Sequence, residues 1–178
     1  MAEARELSHV DQSGQANMVG VGGKTETLRN AKADGWVLVN QVAFDALRNN
    51  NAKKGDVIAT ARIAGLMAVK KASELIPLCH PLRVTGSSIT FETVEPSKVP
   101  QTVLAQRPDA AAALHICASV DAFDRTGVEM EAMTALCVSA LTIYDMLKAV
   151  DRAIITTNLS LLSKSGGKSG EWQREPQL

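Results

Sequence analysis

Residues 125–152, RTGVEMEAMTALCVSALTIYDMLKAVDR, restrict the fold more than any other stretch of this chain. Val128, Met133, Leu136, Val138, Leu141, Ile143, Met146, Leu147 and Val150 cover almost the whole circumference of a helix. A helix apolar all round must be buried on every side. The stretch therefore predicts a long helix held between a sheet and a second surface, such as another subunit. Thr126 followed by Glu129 has the spacing of a capping box, which places the helix start there. A few polar residues interrupt the apolar background. At ~100° per residue, Glu131, Thr134, Thr142, Asp145 and Lys148 fall within about one third of the circumference. Asp145 and Lys148 stand at i,i+3 and can pair. They read either as a solvated stripe or as an acid–base pair in a narrow groove, where each shifts the other's pKa.

The rest of the chain supplies the sheet. LHICASVDAF (114–123) alternates, with Leu114, Ile116, Ala118 and Val120 on one face and His115, Cys117, Ser119 and Asp121 on the other. That is the period of a half-buried strand. RVTGSSITFETVE (83–95), GWVLV (35–39) and AIITTNLSLLS (153–163) also read as strands. QVAFDALRN (41–49) and ATARIAGLMAVKKASELI (59–76) read as helices, the second stopped by Pro77. Residues 1–35 read as an arm or long loop with at most a short strand at NMVGV. Residues 97–111 read as a turn, a short strand and a loop, and residues 164–178 as a Gly/Lys-rich tail. The order β-α(α)-β-β-α-β predicts a single α+β domain over 1–178. It is a ferredoxin-like βαββαβ sandwich, with helices on one face of an antiparallel sheet. Aromatic residues make up only 3% of the chain, so this core must be aliphatic.

Charge narrows the class of partner. Lys and Arg number 19, as do Asp and Glu, which argues against a general electrostatic grip on nucleic acid or membrane. No apolar run free of polar interruption is long enough to predict a membrane span, and the N-terminus lacks the apolar core of a signal peptide. Cys79, Cys117 and Cys137 are odd in number and form no C-x-x-C pattern, so no disulfide framework or zinc site is expected. A reducing, cytoplasmic location fits.

Three short segments carry candidate chemistry. ELIPLCHPL (74–82) holds Cys79 and His80 between Pro77 and Pro81. Proline fixes φ and restricts the residue before it, so the segment presents its side chains rigidly. It reads either as a helix stop with a buried cysteine or as a ligand contact. Lys53, Lys54 and Arg62 surround a Gly-Asp turn and serve either as solvated charge or as phosphate and general-acid groups. KSGGKSG (164–170) lacks the glycine spacing of a nucleotide P-loop. Lys164 and Lys168 among small residues could still form an anion nest, or belong to a frayed tail.

KKGDVIATARIAG, LIPLCHPL, TGVEMEAMTA, ALTIYDMLKAV and LLSKSGGKSG occur in the order and spacing of the MoaC family. These are the cyclic pyranopterin monophosphate synthases of molybdenum cofactor biosynthesis, and the resemblance covers most of residues 7–170. It implies a ferredoxin-like protomer in a homohexamer, a trimer of dimers with active sites at a dimer interface. The implied substrate is a small molecule made by the preceding radical SAM enzyme, (8S)-3',8-cyclo-7,8-dihydroguanosine 5'-triphosphate. The implied lyase reaction closes a cyclic phosphate, expels pyrophosphate and rearranges the skeleton to a pyranopterin. By motif, Leu78, Cys79 and His80 match one substrate-binding segment, and Met130 and Glu131 a second. Asp145, Lys148 and Lys54 match catalytic positions, and Lys164 and Arg29 match basic positions suited to the triphosphate. The resemblance makes His80 a rigid ligand contact and Cys79 filler. No cofactor is expected, although Mg²⁺ could accompany the triphosphate.

The chain departs from the family in two places. MVGVGGK replaces the usual MVDVSAK, putting Gly20 and Gly22 where Asp and Ser are common, with Asn17 at a commonly basic position. Glycine raises the entropic cost of ordering that arm. The region 95–113 is longer than usual and is expected to form an extended hairpin. Two rival functions remain, a non-catalytic nucleotide-binding module and a purely structural hexamer subunit. Pyrophosphate release separates both from the enzyme.

Overall fold

The computed structural model describes Val10 and residues 13–49 and 55–175. Its elements run β1 (Thr27–Val39), α1 (Gln41–Arg48), α2 (Val57–Val69), α3 (Ala72–Leu75), β2 (Val84–Val94), a 3₁₀ turn (Pro96–Lys98), α4 (Gln101–Leu104), β3 (Ala112–Asp124), α5 (Glu129–Leu147), β4 (Ile155–Ser165) and β5 (Trp172–Gln173). The sheet order is β2-β3-β1-β4-β5, with every neighbouring pair antiparallel. α2 and α5 pack side by side across one face. This is the predicted α+β sandwich of ferredoxin-like type.

The aliphatic core lies between the sheet and these helices. Ala31, Ala33, Val37 and Val39 of β1 and Leu114, Ile116, Ala118 and Val120 of β3 face it, along with Ala132, Leu136, Ala140 and Ile143 of α5. Small residues bring α2 and α5 close. Ser139 Oγ donates to the Ala61 carbonyl at 3.1 Å, and a Cβ on Gly65 would collide with Ser139 and Ile89. Ala61 lies against Ser139, and Val69 shares a cavity wall with Glu131. The helices therefore run antiparallel, and α2 begins beside the C-terminal half of α5. Asp56, after a left-handed Gly55, caps α2 by accepting from the Ala59 N–H at 2.9 Å. α5 has the length and composition to cross a bilayer, but here it is a core helix.

Four expectations need correction. Thr27–Val39 is one continuous strand, so the loop-rich N-terminal segment ends before residue 27, and NMVGV is not a strand. Residues 96–104 form a 3₁₀ turn and a short helix, not an extended hairpin. Prolines 96 and 100 preset the helical φ at the start of each turn. Val99, Val103 and Ala110 from this connection cover Leu38 and Ala113, making a small second core. Arg107, 5% exposed, anchors it. Its guanidinium donates to Asp151 at 2.8 and 3.1 Å and to the Leu38 carbonyl at 3.0 Å. The capping box does not form, because α5 starts after Val128 with no side-chain cap. Finally, the C-terminal segment is not all tail, since β4 extends to Ser165 and β5 pairs with it through Gln173 and Trp172.

β4 does not pair evenly with β1. The register slips by one residue between Asp34 and Trp36 and again between Lys32 and Ala33. The first slip sets Gly35 opposite Asn158 and Leu159, with Asn158 at φ 52. These are β-bulges. Beyond them Lys164 pairs with Ala31, on the helix-covered face.

Candidate active site

Two adjoining cavities open where α5 begins. The first, of about 280 Å³, is lined by Lys24, Arg29, Arg125, Lys164 and Lys168, with Glu129 as the carboxylate among its described lining residues. Arg29 is fixed by donating to the carbonyls of Asp124 at 3.2 Å and Arg125 at 3.1 Å. The KSGG segment wraps this arginine. Gly166 and Gly167 have φ of 99° and 71°, and a Cβ on Gly167 would collide with the guanidinium. Lys164 donates to Ser169 Oγ at 3.1 Å and pairs with Glu129 at 3.0 Å. Arg125 Nε is buried without a hydrogen-bond partner among the described residues. So much convergent positive charge beside a helix N-terminus suits a multiply charged anion.

The second cavity, of about 380 Å³, is lined by Leu78, Cys79, His80, Leu82 and Met130 and shares Lys24, Thr126, Gly127 and Glu129 with the first. The Cys79 N–H donates to the Ile76 carbonyl at 3.0 Å, closing a turn with Pro77 at its second position. The opening of the PLCHP segment is thus a tight turn. Cys79 Sγ lies 3.5 Å from Glu131 Oε1. Burial, then the Glu131 carboxyl, push the Cys79 thiol up to about 11, so it stays protonated and is a poor nucleophile. Glu131 is 2% exposed and its Oε2 has no partner among the described residues. Burial raises its pKa.

Asp145 and Lys148 pair at 2.7 Å at the other end of α5. Both side chains are about half exposed in the protomer, not in a buried groove. The polar stripe is therefore two environments, with Glu131 and Thr134 buried and Asp145 and Lys148 exposed. The hydrogen bond that Lys148 donates to the Asp145 carboxylate raises the Lys148 pKa, keeping it a cation. Glu131 and Asp145 are 14 residues apart, about 21 Å along the helix. One protomer thus gathers Arg29, Leu78, Cys79, His80, Met130, Glu131 and Lys164 at one end of α5 and sets Asp145 and Lys148 apart. Lys54 lies outside the described residues.

Sequence reasoning missed Lys24 and Arg125 in the cation cluster. Their signal was weak, since each is a lone basic residue, Lys24 after Gly23 and Arg125 between Asp124 and Thr126. A larger cavity, of about 590 Å³, lies on the opposite face of the sheet, lined by Asp34, Trp36, His115, Asn158 and Arg174 among others. Its Asp34 is already engaged, lying 3.1 Å from His115 Nε2 and 2.8 Å from the Arg174 guanidinium. Trp36 stacks on His115 with centroids 4.4 Å apart. No group of His, Cys, Asp and Glu among the described residues could hold a metal ion.

Comparison with known proteins bears on the family. The model of the MoaC family matches residues 18–167. The chain is 46% identical over 170 residues to a cyclic pyranopterin monophosphate synthase of a Nocardioides species, covering 96% of each chain. It is 49% identical over 168 residues to proteins named cyclic pyranopterin monophosphate synthase 3 in Mycobacterium bovis and Mycobacterium tuberculosis, covering 94% of this chain and 86% of theirs.

Proposed function

The chain belongs to the MoaC family, and from that premise we propose that it is a cyclic pyranopterin monophosphate synthase, a lyase of molybdenum cofactor biosynthesis. It converts (8S)-3',8-cyclo-7,8-dihydroguanosine 5'-triphosphate to cyclic pyranopterin monophosphate and pyrophosphate. The observation that carries this reading is the joined pair of cavities. A pocket rich in cations sits beside a mixed apolar and polar one, as a nucleotide with a polyphosphate tail requires. Arg29 and Lys164 hold phosphate charge. Leu78, Cys79, His80, Met130 and Glu131 contact the base–sugar part. Mg²⁺ could enter with the triphosphate. The three free cysteines suit a reducing cytoplasm.

Asp145, Lys148 and Lys54 serve as acid, base and charge stabilisers. Their distance from the cavities is met if each site draws on two subunits of a trimer of dimers. The apolar patch of Ile63, Met67 and Leu141, each more than half exposed, supports a subunit contact along α2 and α5. Incubation of the purified chain with the cyclised triphosphate tests the activity. Pyrophosphate and the cyclic monophosphate product are expected in equal amounts. Binding without either product would instead make the chain a nucleotide-binding module. Composite sites are tested by co-refolding a His80→Ala chain with a Lys148→Ala chain. In a mixed dimer one site collects both defects and the other none, so up to about half of that dimer's activity returns. Mixed oligomers, verified by mass, that stay as inactive as either parent refute shared sites.

A further inference from the structure

The cation cluster is not empty of negative charge. The Glu129 carboxylate reaches Lys164 at 3.0 Å, and the two side chains are 28% and 30% exposed. It stands at the junction of the two cavities and lines both. Its side chain folds back over Gly127, where a Cβ would collide with the carboxylate. Glu129 is therefore not engaged in capping α5, where its position in the first turn would allow it. We propose that Glu129 is a resident counter-ion. It occupies the phosphate-binding position beside Lys164 in the ligand-free protein, must be displaced for a polyphosphate to bind, and competes with pyrophosphate for that lysine afterwards. This rests on the reading of the cavity as the phosphate end of the site.

The physical argument is one of competition. Among the described residues lining this cavity five cations face one carboxylate, Glu129, while Glu26 lies 3.8 Å from Arg125 outside the lining, so an anion of higher charge can replace Glu129 and gain more from the cluster than the carboxylate does. A singly charged anion gains little beyond what it displaces. The same exchange weakens retention of every phosphate ligand, including the pyrophosphate product. A pair about a third exposed exchanges at small cost, unlike the buried Arg107–Asp151 pair. Either anion is favoured by the N-terminal end of α5, so the helix does not choose between them.

The test uses the full chain, with inorganic pyrophosphate as the probe. Calorimetric titration of the wild type and Glu129→Gln should show binding about tenfold tighter in the variant, equivalent to about 1.4 kcal/mol. In a Lys164→Ala background the same change should have little effect, because the lysine being contested is gone. Gly127→Ala, which crowds the carboxylate from its position while keeping it in the chain, should also tighten binding. It carries the test if Glu129→Gln does not fold. Unchanged or weaker pyrophosphate binding in a folded variant overturns the counter-ion. If the wild type also turns over the cyclised triphosphate, the functional reading survives that result. If neither turnover nor pyrophosphate binding is found, the functional reading falls and the counter-ion with it.

Discussion

Replacing Arg107 with Met removes the anchor of the 96–111 connection and tests how that segment is held. The side chain is 6% exposed and Asp151 opposite it 2%. Three hydrogen bonds are lost, two to Asp151 and one to the Leu38 carbonyl. Removing one partner of a buried pair costs about 3–5 kcal/mol. The lower end applies here, because Asp151 keeps the N–H groups of Asn40 at 2.7 Å and Ala153 at 3.1 Å. For a chain of this size each kcal/mol lowers the melting temperature by about 2–4 °C, so a fall of roughly 6–12 °C is expected. Asp151→Ala should cost more, since it strands the guanidinium and both N–H groups. The effect should also depend on pH. Burial pushes the Asp151 pKa up, but the Arg107 bond and the Asn40 N–H outweigh it and hold the carboxyl low. A depressed carboxyl stabilises the fold above its unfolded pKa of about 3.9 and loses that contribution as pH falls through the folded value. The gap between wild type and Arg107→Met should therefore be full near neutral pH and narrow below about pH 4. Thermal melts followed by circular dichroism, at one protomer concentration, measure it. A fall of less than about 2 °C at neutral pH would show that the segment does not depend on this pair.

Lys148→Ala should abolish turnover with an unchanged melting curve, because the lysine is exposed and alanine is a good helix residue; wild-type turnover removes it from the mechanism. Cys79→Ser should keep most activity, as a thiol titrating at about 11 is not a nucleophile near neutrality. A folded but inactive serine variant would restore that role. His80→Ala should weaken substrate binding, read by titration, more than it lowers the melting temperature. Glu131→Gln should raise stability at pH 8. Burial lifts the folded pKa of Glu131, so ionisation destabilises the fold as pH rises above the unfolded value of about 4.3. The gain should vanish below that pH, and a loss of stability at pH 8 would refute the reading.

The residues that announced themselves in the sequence were those whose own chemistry matched their element. β3 was legible because large aliphatics alternate with polar residues. The first half of β1 alternates too, but its buried positions are Ala31 and Ala33, flanked by Asn30, Lys32 and Asp34. Those residue types carry little strand preference, and only pairing on both sides makes them a strand. Glu129 had the spacing of a cap, yet Lys164, 35 positions away, claims its carboxylate. No local pattern reports such a contact. The cation cluster was half visible, with Arg29 and Lys164 found through motif and Lys24 and Arg125 found only by folding.

The two bulges of β4 can be thought of as a pair of compensated frameshifts. A sheet assigns side chains to faces in a two-letter frame, so one extra residue inverts everything downstream and a second restores it. Beyond both insertions Lys164 stands opposite Ala31, on the helix side. Loss of Leu162 alone, the unpaired residue of the second bulge, would remove the shift together with the residue and leave Ser163 opposite Lys32 and Lys164 opposite Ala31. Only the loss of a residue with both bulges kept would set Lys164 opposite Lys32, pointing away from α5. A related chain one residue shorter in 158–162 should therefore lack one bulge and keep its lysine on the helix side.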